Sequence, residues 1–145
     1  MKTTSCGILV LDAQGELLLC HATGTAYWDI PKGGQHADET ELQAALRETD
    51  EETGLAFAPD ALTALGRFAY RPAKDLVLFA TLLERIDTAA LVCRTHFRDP
   101  WGRLRPEMDG FAWTPFADVP RRCAKRMAAL LGSLALPTLL ARLQH

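Results

Sequence analysis

The sequence predicts an α/β protein with a mixed β-sheet, on three observations. Short apolar runs bounded by turn residues read as strands. One long segment repeats its apolar residues at helical spacing. Strand-like and helix-like segments interleave along the chain, with no repeat, low-complexity tract or linker to divide them. At 145 residues the chain is long enough to bury one full core, so a single domain over 1–145 is the simplest organisation.

The elements follow in order. Residues 4–11 form an apolar run, Asp12-Ala13-Gln14-Gly15 is turn chemistry, and residues 16–21 form a second run; together they predict a β-hairpin. Trp28-Asp29-Ile30 is a short extended piece stopped by Pro31 and the pair Gly33-Gly34. A helix comes next. Asp38 is a good N-cap, Glu41 stands three residues later at capping-box spacing, and Glu39 and Glu41 suit the positive end of the dipole. Leu42, Ala45, Leu46 and Thr49 supply its apolar face, and Gly54 its stop. Strands are expected over 62–70 and 76–83, then a polar loop over 94–109 and a short strand over 111–114. An amphipathic helix opened by Pro120 is expected over 119–131, and a last short helix over 138–143.

Bulk properties narrow the function classes. Hydrophobic residues at 48% and charged residues at 23% are globular values. A formal net charge of −2 disfavours a broad nucleic-acid-binding face but leaves room for a local basic patch. Cys6, Cys20, Cys93 and Cys123 lie far apart in sequence and form no CxxC pair, so they read as reduced, packed thiols rather than a zinc site. His21, His36, His96 and His145 show no metal-ligand spacing and read as surface or structural residues. The apolar run from Gly7 to Leu11 is too short for a signal-peptide core, and no stretch approaches membrane-spanning length. A cytoplasmic location without a membrane partner is the expectation.

The chemistry lies at the end of the main helix. Glu48, Glu51 and Glu52 fall at i, i+3 and i+4, which puts three carboxylates on one face while Asp50 points elsewhere. The helix dipole is negative there and opposes further negative charge by ~0.3–1 kcal/mol per group. Like charges at i,i+4 add ~0.2–0.5 kcal/mol of repulsion. Arg47 is the sole local compensation. A helix selected for stability alone would carry cations in its last turn, whereas a divalent cation would relieve this arrangement. All-oxygen donors favour magnesium over zinc, and magnesium held by a few carboxylates is typically shared with substrate phosphates. Hydrolysis of a phosphate anhydride is the reaction such a surface suits.

Gly33, Glu39, Arg47, Glu48, Glu51, Glu52, Gly54 and Leu55 stand at the spacings of the Nudix signature. Its seven fixed polar or glycine positions would be matched by chance at a rate on the order of one in a million. The chain therefore resembles the Nudix hydrolases over 33–55, in particular their dinucleoside polyphosphate hydrolase-like and MutT-like branch. Thr49, where an aliphatic residue is usual, is the single departure. The resemblance implies a Nudix-type α/β/α sandwich and a magnesium-dependent pyrophosphohydrolase in which manganese can substitute. It implies that Glu48, Glu51 and Glu52 bind metal and that one of them, or a loop carboxylate, activates the attacking water. Arg47 would hold a catalytic glutamate, and Glu39 would support the loop. The turn at Lys32-Gly33-Gly34 would bring a carbonyl, that of Lys32, towards a metal. Glu107, six residues before Trp113, is either a further loop ligand or an ordinary surface glutamate.

The same resemblance suggests substrate contacts. Trp28-Asp29-Ile30-Pro31-Lys32-Gly33 is similar to the approach to the Nudix loop in dinucleoside polyphosphate hydrolases, where Lys32 would meet a phosphate. Tyr70 lies where that branch carries a base-contacting tyrosine, although plain packing explains such a residue equally well. Arg67, Arg71 and Lys74 around it would neutralise distal phosphates or simply be surface cations. The favoured substrate is a nucleoside diphosphate linked to another moiety, above all a dinucleoside polyphosphate such as diadenosine tetraphosphate. Alternatives are a MutT-like housekeeping triphosphate pyrophosphatase, an RNA 5′-pyrophosphohydrolase, and, from another class, a catalytically silent nucleotide-binding sensor. The partner is a small nucleotide or polyphosphate rather than nucleic acid, and the chain would act as a monomer or homodimer.

Overall fold

Strand β1 (Thr3–Leu11) is apolar on both of its faces, and it takes the centre of the sheet. A computed structural model describes residues 2–145. β1 pairs antiparallel with β2 (Glu16–Ala22), closing the expected hairpin, and with β4 (Lys32–Gly34). On its other edge it runs parallel to β6 (Lys74–Leu82), in register from Thr3↔Lys74 to Leu11↔Leu82. β5 (Thr63–Arg71) pairs antiparallel with β6, β3 (Trp28–Asp29) with β2, and β9 (Met108–Pro115) with β2. The sheet is therefore mixed, as expected.

Period-2 alternation sorts β1 into two cores. Leu9 and Leu11 join Leu17, Leu19, Leu76, Leu78, Met127, Leu131 and Leu139 on the face covered by α3 (Lys125–Ser133) and α4 (Leu136–Leu143). Ile8 and Val10 join Leu18, Val77, Phe79 and Trp113 on the face covered by Ala44 and Ala45 of α1 (Glu41–Thr53). Helix, sheet and helix thus form three layers, with α1 alone on the side that carries the acidic cluster. All four cysteines are free and buried. Burial pushes the Cys6 thiol up to about 11 and the Cys123 thiol to about 12, so neither is a reactive thiolate. No single helix among the described residues is long and apolar enough to cross a membrane.

Three expectations are corrected. The N-cap of α1 is Thr40, not Asp38: Thr40 Oγ1 accepts from Gln43 N–H at 3.1 Å and Gln43 Oε1 accepts from Thr40 N–H at 2.9 Å, a complete capping box. The chain before it is held in a turn by the Glu39 N–H to His36 carbonyl bond of 3.1 Å, which keeps Asp38 and Glu39 out of the helix. The helix expected over 119–131 is broken into α2 (Val119–Arg122) and α3, because Cys123 is extended (ψ 156°) where it bridges to Trp28. The polar loop over 94–109 contains a separate hairpin, β7 (His96–Arg98) with β8 (Leu104–Pro106).

Candidate active site

α1 ends where its sequence says it should. Gly54 adopts the left-handed conformation (φ 82°) and its N–H returns to the Asp50 carbonyl at 2.8 Å, a position that a Cβ would strain. The last turn contains no basic residue, so the dipole leaves the glutamates uncompensated from within their own turn.

Arg47 compensates them from one turn earlier. Its Nε and Nη2 donate to the two oxygens of Glu39 at 2.6 and 2.9 Å, a bidentate fork. Its Nη1 donates to Glu48 Oε1 at 2.7 Å and Glu51 Oε2 at 3.2 Å, and Nη2 also reaches the Gly34 carbonyl at 2.8 Å. One guanidinium therefore ties the loop before the helix to two carboxylates of its last turns. Only a planar five-donor group can do so. The hydrogen bonds from Arg47 hold the Glu39 carboxyl down at about 2, and those to Glu39 and Glu48 raise Arg47 itself.

Glu48 and Glu52 sit in drier surroundings. Glu52 is 3% exposed, and its Oε1 accepts the Lys32 backbone N–H at 3.0 Å. Burial, reinforced by the charges of Glu48 and Glu107, pushes its carboxyl up to about 8. Burial raises Glu48 as well, against the pull of Arg47, with Glu51 and Glu107 adding to the rise. Glu107 is exposed yet lies near enough for its charge to act on both. The strained state of these acids is what a bound cation would reverse.

The loop glycine completes the fit. A Cβ built on Gly33 would fall 2.6 Å from Glu48 Oε1 and closer still to the rest of that carboxylate. Gly33 is thus needed so that Glu48 can press against the loop backbone. Every donor on this face is an oxygen, the ligand type that a hard divalent cation takes. Among the described residues no group of three or more acidic, histidine or cysteine side chains is placed so that it could hold a metal ion.

The other expected contacts divide. Lys32 borders the site: its Nζ pairs with Asp29 Oδ2 at 3.1 Å, and although burial pulls its pKa down, Asp29 outweighs this and leaves it raised. Tyr70 is a core residue at 8% exposure. Arg71 lies 5.5 Å from the centre of that ring. Arg67 is engaged by Asp75 and by Glu41, at the opposite end of α1 from the acidic cluster. Neither arginine joins the carboxylates.

Two groupings escaped the sequence reading. His21 Nδ1 and Asp109 Oδ1 are 2.5 Å apart, with Trp28 edge-on to His21 and Arg122 5.4 Å from the Trp28 ring centre. The segment after α1 is bonded to it, through Val92 N–H to the Thr53 carbonyl at 3.0 Å and Arg94 N–H to the Glu51 carbonyl at 2.7 Å. Arg94 also pairs with Asp50 at 2.9 Å. Cross-strand pairings carry no local signal; the hairpin beyond Arg94 did have one, the Asp99-Pro100-Trp101-Gly102 turn.

Comparison with known proteins agrees with this geometry. The NUDIX domain family model matches residues 1–132. An uncharacterized 17.7 kDa protein from the e-segB intergenic region of Enterobacteria phage T4 is 38% identical over 126 residues, 79% of this chain and 83% of that protein. The RNA pyrophosphohydrolase of Yersinia pestis (strain Pestoides F) is 30% identical over 142 residues, 85% of this chain and 81% of that one. In structure, a C. elegans Ap4A hydrolase binary complex superposes with a TM-score of 0.69 at 23% identity, covering 95% of this chain and 98% of that one; at that identity the likeness concerns the fold. A signature whose residues meet in space, inside a family match that spans most of the sequence, makes the chain a member of the NUDIX domain family and a Nudix pyrophosphohydrolase.

Proposed function

We propose that the chain, as one Nudix domain, hydrolyses with magnesium a phosphoanhydride bond in a nucleoside diphosphate linked to a further moiety. The observation that carries this reading is Arg47 binding Glu39, Glu48 and Glu51 together, beside a Glu52 whose burial disfavours its charge. Glu48, Glu51 and Glu52 would hold the metal, with manganese an acceptable substitute, and Glu107 would be a further ligand or base; a cation there would supply charge neutralisation on the phosphoryl oxygens and a lowered pKa for the attacking water.

The chain's own residues do the rest. Arg47 fixes the carboxylates and Glu39 fixes Arg47. Gly33 lets the loop backbone lie against the Glu48 carboxylate, and the Lys32 carbonyl would be a further oxygen ligand for the metal. Lys32 offers a point charge for a phosphate. A deprotonated glutamate of the cluster, or Glu107, accepts the water's proton.

Two substrates remain in view. The approach Trp28 to Gly33 supports a dinucleoside polyphosphate; Tyr70, at 8% exposure, adds little to it. The 30% identical relatives that are RNA pyrophosphohydrolases support an RNA 5′ end as the second reading. A panel of dinucleoside polyphosphates, nucleoside triphosphates and 5′-triphosphorylated oligoribonucleotides, with and without magnesium, tests both. Turnover should depend on the metal and fall by orders of magnitude in Glu51→Gln and Glu52→Gln. Near-normal turnover in both variants would refute the assignment.

A further inference from the structure

The hairpin β7–β8 belongs to neither core. It forms a two-stranded sheet of its own, and its apolar side chains face outwards: Trp101 is 81% exposed and Leu104 60%. Around them stand Arg98, Arg103 and Arg105, of which Arg105 pairs with Asp99 at 3.6 Å, while Arg94 at the base of the arm pairs with Asp50. A chain of formal net charge −2 thus concentrates cations on one arm. Register places Phe97 directly opposite Arg105.

The tip is rigid. Asp99 Oδ1 accepts from the N–H groups of Trp101 at 3.0 Å and Arg103 at 2.8 Å, and Gly102 closes the turn at φ 79°. Arg98 donates to the Gly102 carbonyl at 2.9 Å. A large aromatic exposed on a flexible loop would be an aggregation hazard. One presented on a braced turn between arginines is arranged as a stacking platform with phosphate partners, the combination that binds single-stranded nucleic acid.

The arm is fixed to the catalytic helix. It leaves from Arg94, whose N–H bonds the Glu51 carbonyl, and it ends at Glu107, whose N–H bonds the Thr95 carbonyl at 2.9 Å. Six residues separate Trp101 from Glu107, at most ~20 Å of extended strand. Stacked nucleotides advance ~3.4 Å each, so up to about six of them span that distance.

We propose that the β7–β8 hairpin is a docking arm for single-stranded RNA, on which Trp101 stacks a base and Arg103 meets a phosphate downstream of a 5′ end held at the acidic cluster. The proposal rests on the RNA 5′-end reading above and extends it to a binding surface outside the Nudix motif.

The test uses the full chain, with Trp101→Ala and Arg103→Ala, and 3′-labelled eight-nucleotide oligoribonucleotides of one sequence carrying either a 5′-triphosphate or a 5′-hydroxyl. Trp101→Ala should weaken binding of the 5′-hydroxyl oligonucleotide about tenfold, the range of one base–aromatic stack, with the effect shrinking as the oligonucleotide is shortened. Arg103→Ala should reduce the slope of log affinity against log salt by about 0.7. Neither variant should change kcat/KM for a mononucleotide by more than about twofold, and unchanged thermal midpoints would establish that both fold. Equal affinity in wild type and Trp101→Ala, or an equal loss on the mononucleotide, would overturn the docking arm. Trp101-dependent binding without hydrolysis of the triphosphate form would uphold the arm and refute the RNA pyrophosphohydrolase reading; hydrolysis insensitive to Trp101 would do the reverse.

Discussion

Replacing Glu52 by glutamine should stabilise the metal-free protein while abolishing turnover. The side chain is 3% exposed, and burial lifts its carboxyl from 4.5 to about 8. A folded-state pKa above the unfolded one means stability that is fully present below pH 4.5 and lost as pH rises through about 8. The displacement is about three and a half units, at ~1.36 kcal/mol each an upper bound near 5 kcal/mol. Relaxation and water entry reduce such penalties, so about 2–3 kcal/mol is the expected gain at pH 8. Glutamine keeps the oxygen that accepts the Lys32 N–H and cannot ionise.

For a chain of this size the gain corresponds to a rise of roughly 6–12 °C in Tm. Thermal melts of both proteins in EDTA, from pH 4 to 9, make the measurement. The two curves should coincide below pH 4.5 and diverge steadily up to pH 8. Magnesium added at pH 8 should raise the wild-type midpoint and leave Glu52→Gln nearly unmoved, because only the wild type offers the full charge. A variant no more stable than wild type at pH 8, or a gap that does not change with pH, would refute the claim that Glu52 is a buried acid held against its preference.

Three further outcomes follow from the same geometry. Gly33→Ala puts a methyl onto the Glu48 carboxylate and should weaken magnesium binding about 10–100-fold, the range for displaced support of a ligand, with circular dichroism unchanged; full metal affinity by titration calorimetry would contradict the close approach. Thr49→Val removes a hydroxyl that is buried without a hydrogen-bond partner and should raise stability by about 1 kcal/mol in urea titrations without altering turnover. Glu39, held down at about 2 by Arg47, contributes stability above pH 4.5 that is lost as pH falls through about 2; acid titration of Glu39→Gln should show a shallower loss over that window.

The sequence made some of this legible and hid the rest for identifiable reasons. The sheet strands and α1 could be read because burial dictates them: β1 alternates Ile8 and Val10 to one face against Leu9 and Leu11 to the other. The acidic face of α1 could be read because its spacing is local. Thr40 and Asp38 both satisfy the N-cap rule in sequence, and the turn closed by Glu39 N–H on the His36 carbonyl decides between them. The break at Cys123 follows from a bridge to Trp28, ninety-five residues away in sequence. Tyr70 was ambiguous because an aromatic near a strand end has the same local sequence whether it packs or stacks; the α3 face of the sheet took it. The β7–β8 arm read as loop because an element without a buried face lacks the hydrophobic alternation by which strands are recognised.

The acidic cluster is legible for the opposite reason: it violates a local rule without a local remedy. Each of its carboxylates lowers the stability of the helix that carries it, since they repel one another and face the negative end of the dipole. Arg47 relieves Glu48 and Glu51 but makes no hydrogen bond to Glu52, whose backbone partner leaves it above the carboxylate range. The deficit is therefore concentrated on the most buried acid, where a cation would recover the most. Conflict that the fold resolves structurally, as with Arg67 between Glu41 and Asp75, carries no functional message. Conflict that the fold leaves unresolved at Glu52 and Glu48 does, because only a ligand can remove it, and that asymmetry within one thirteen-residue helix is what distinguishes the chemical end of α1 from its structural end.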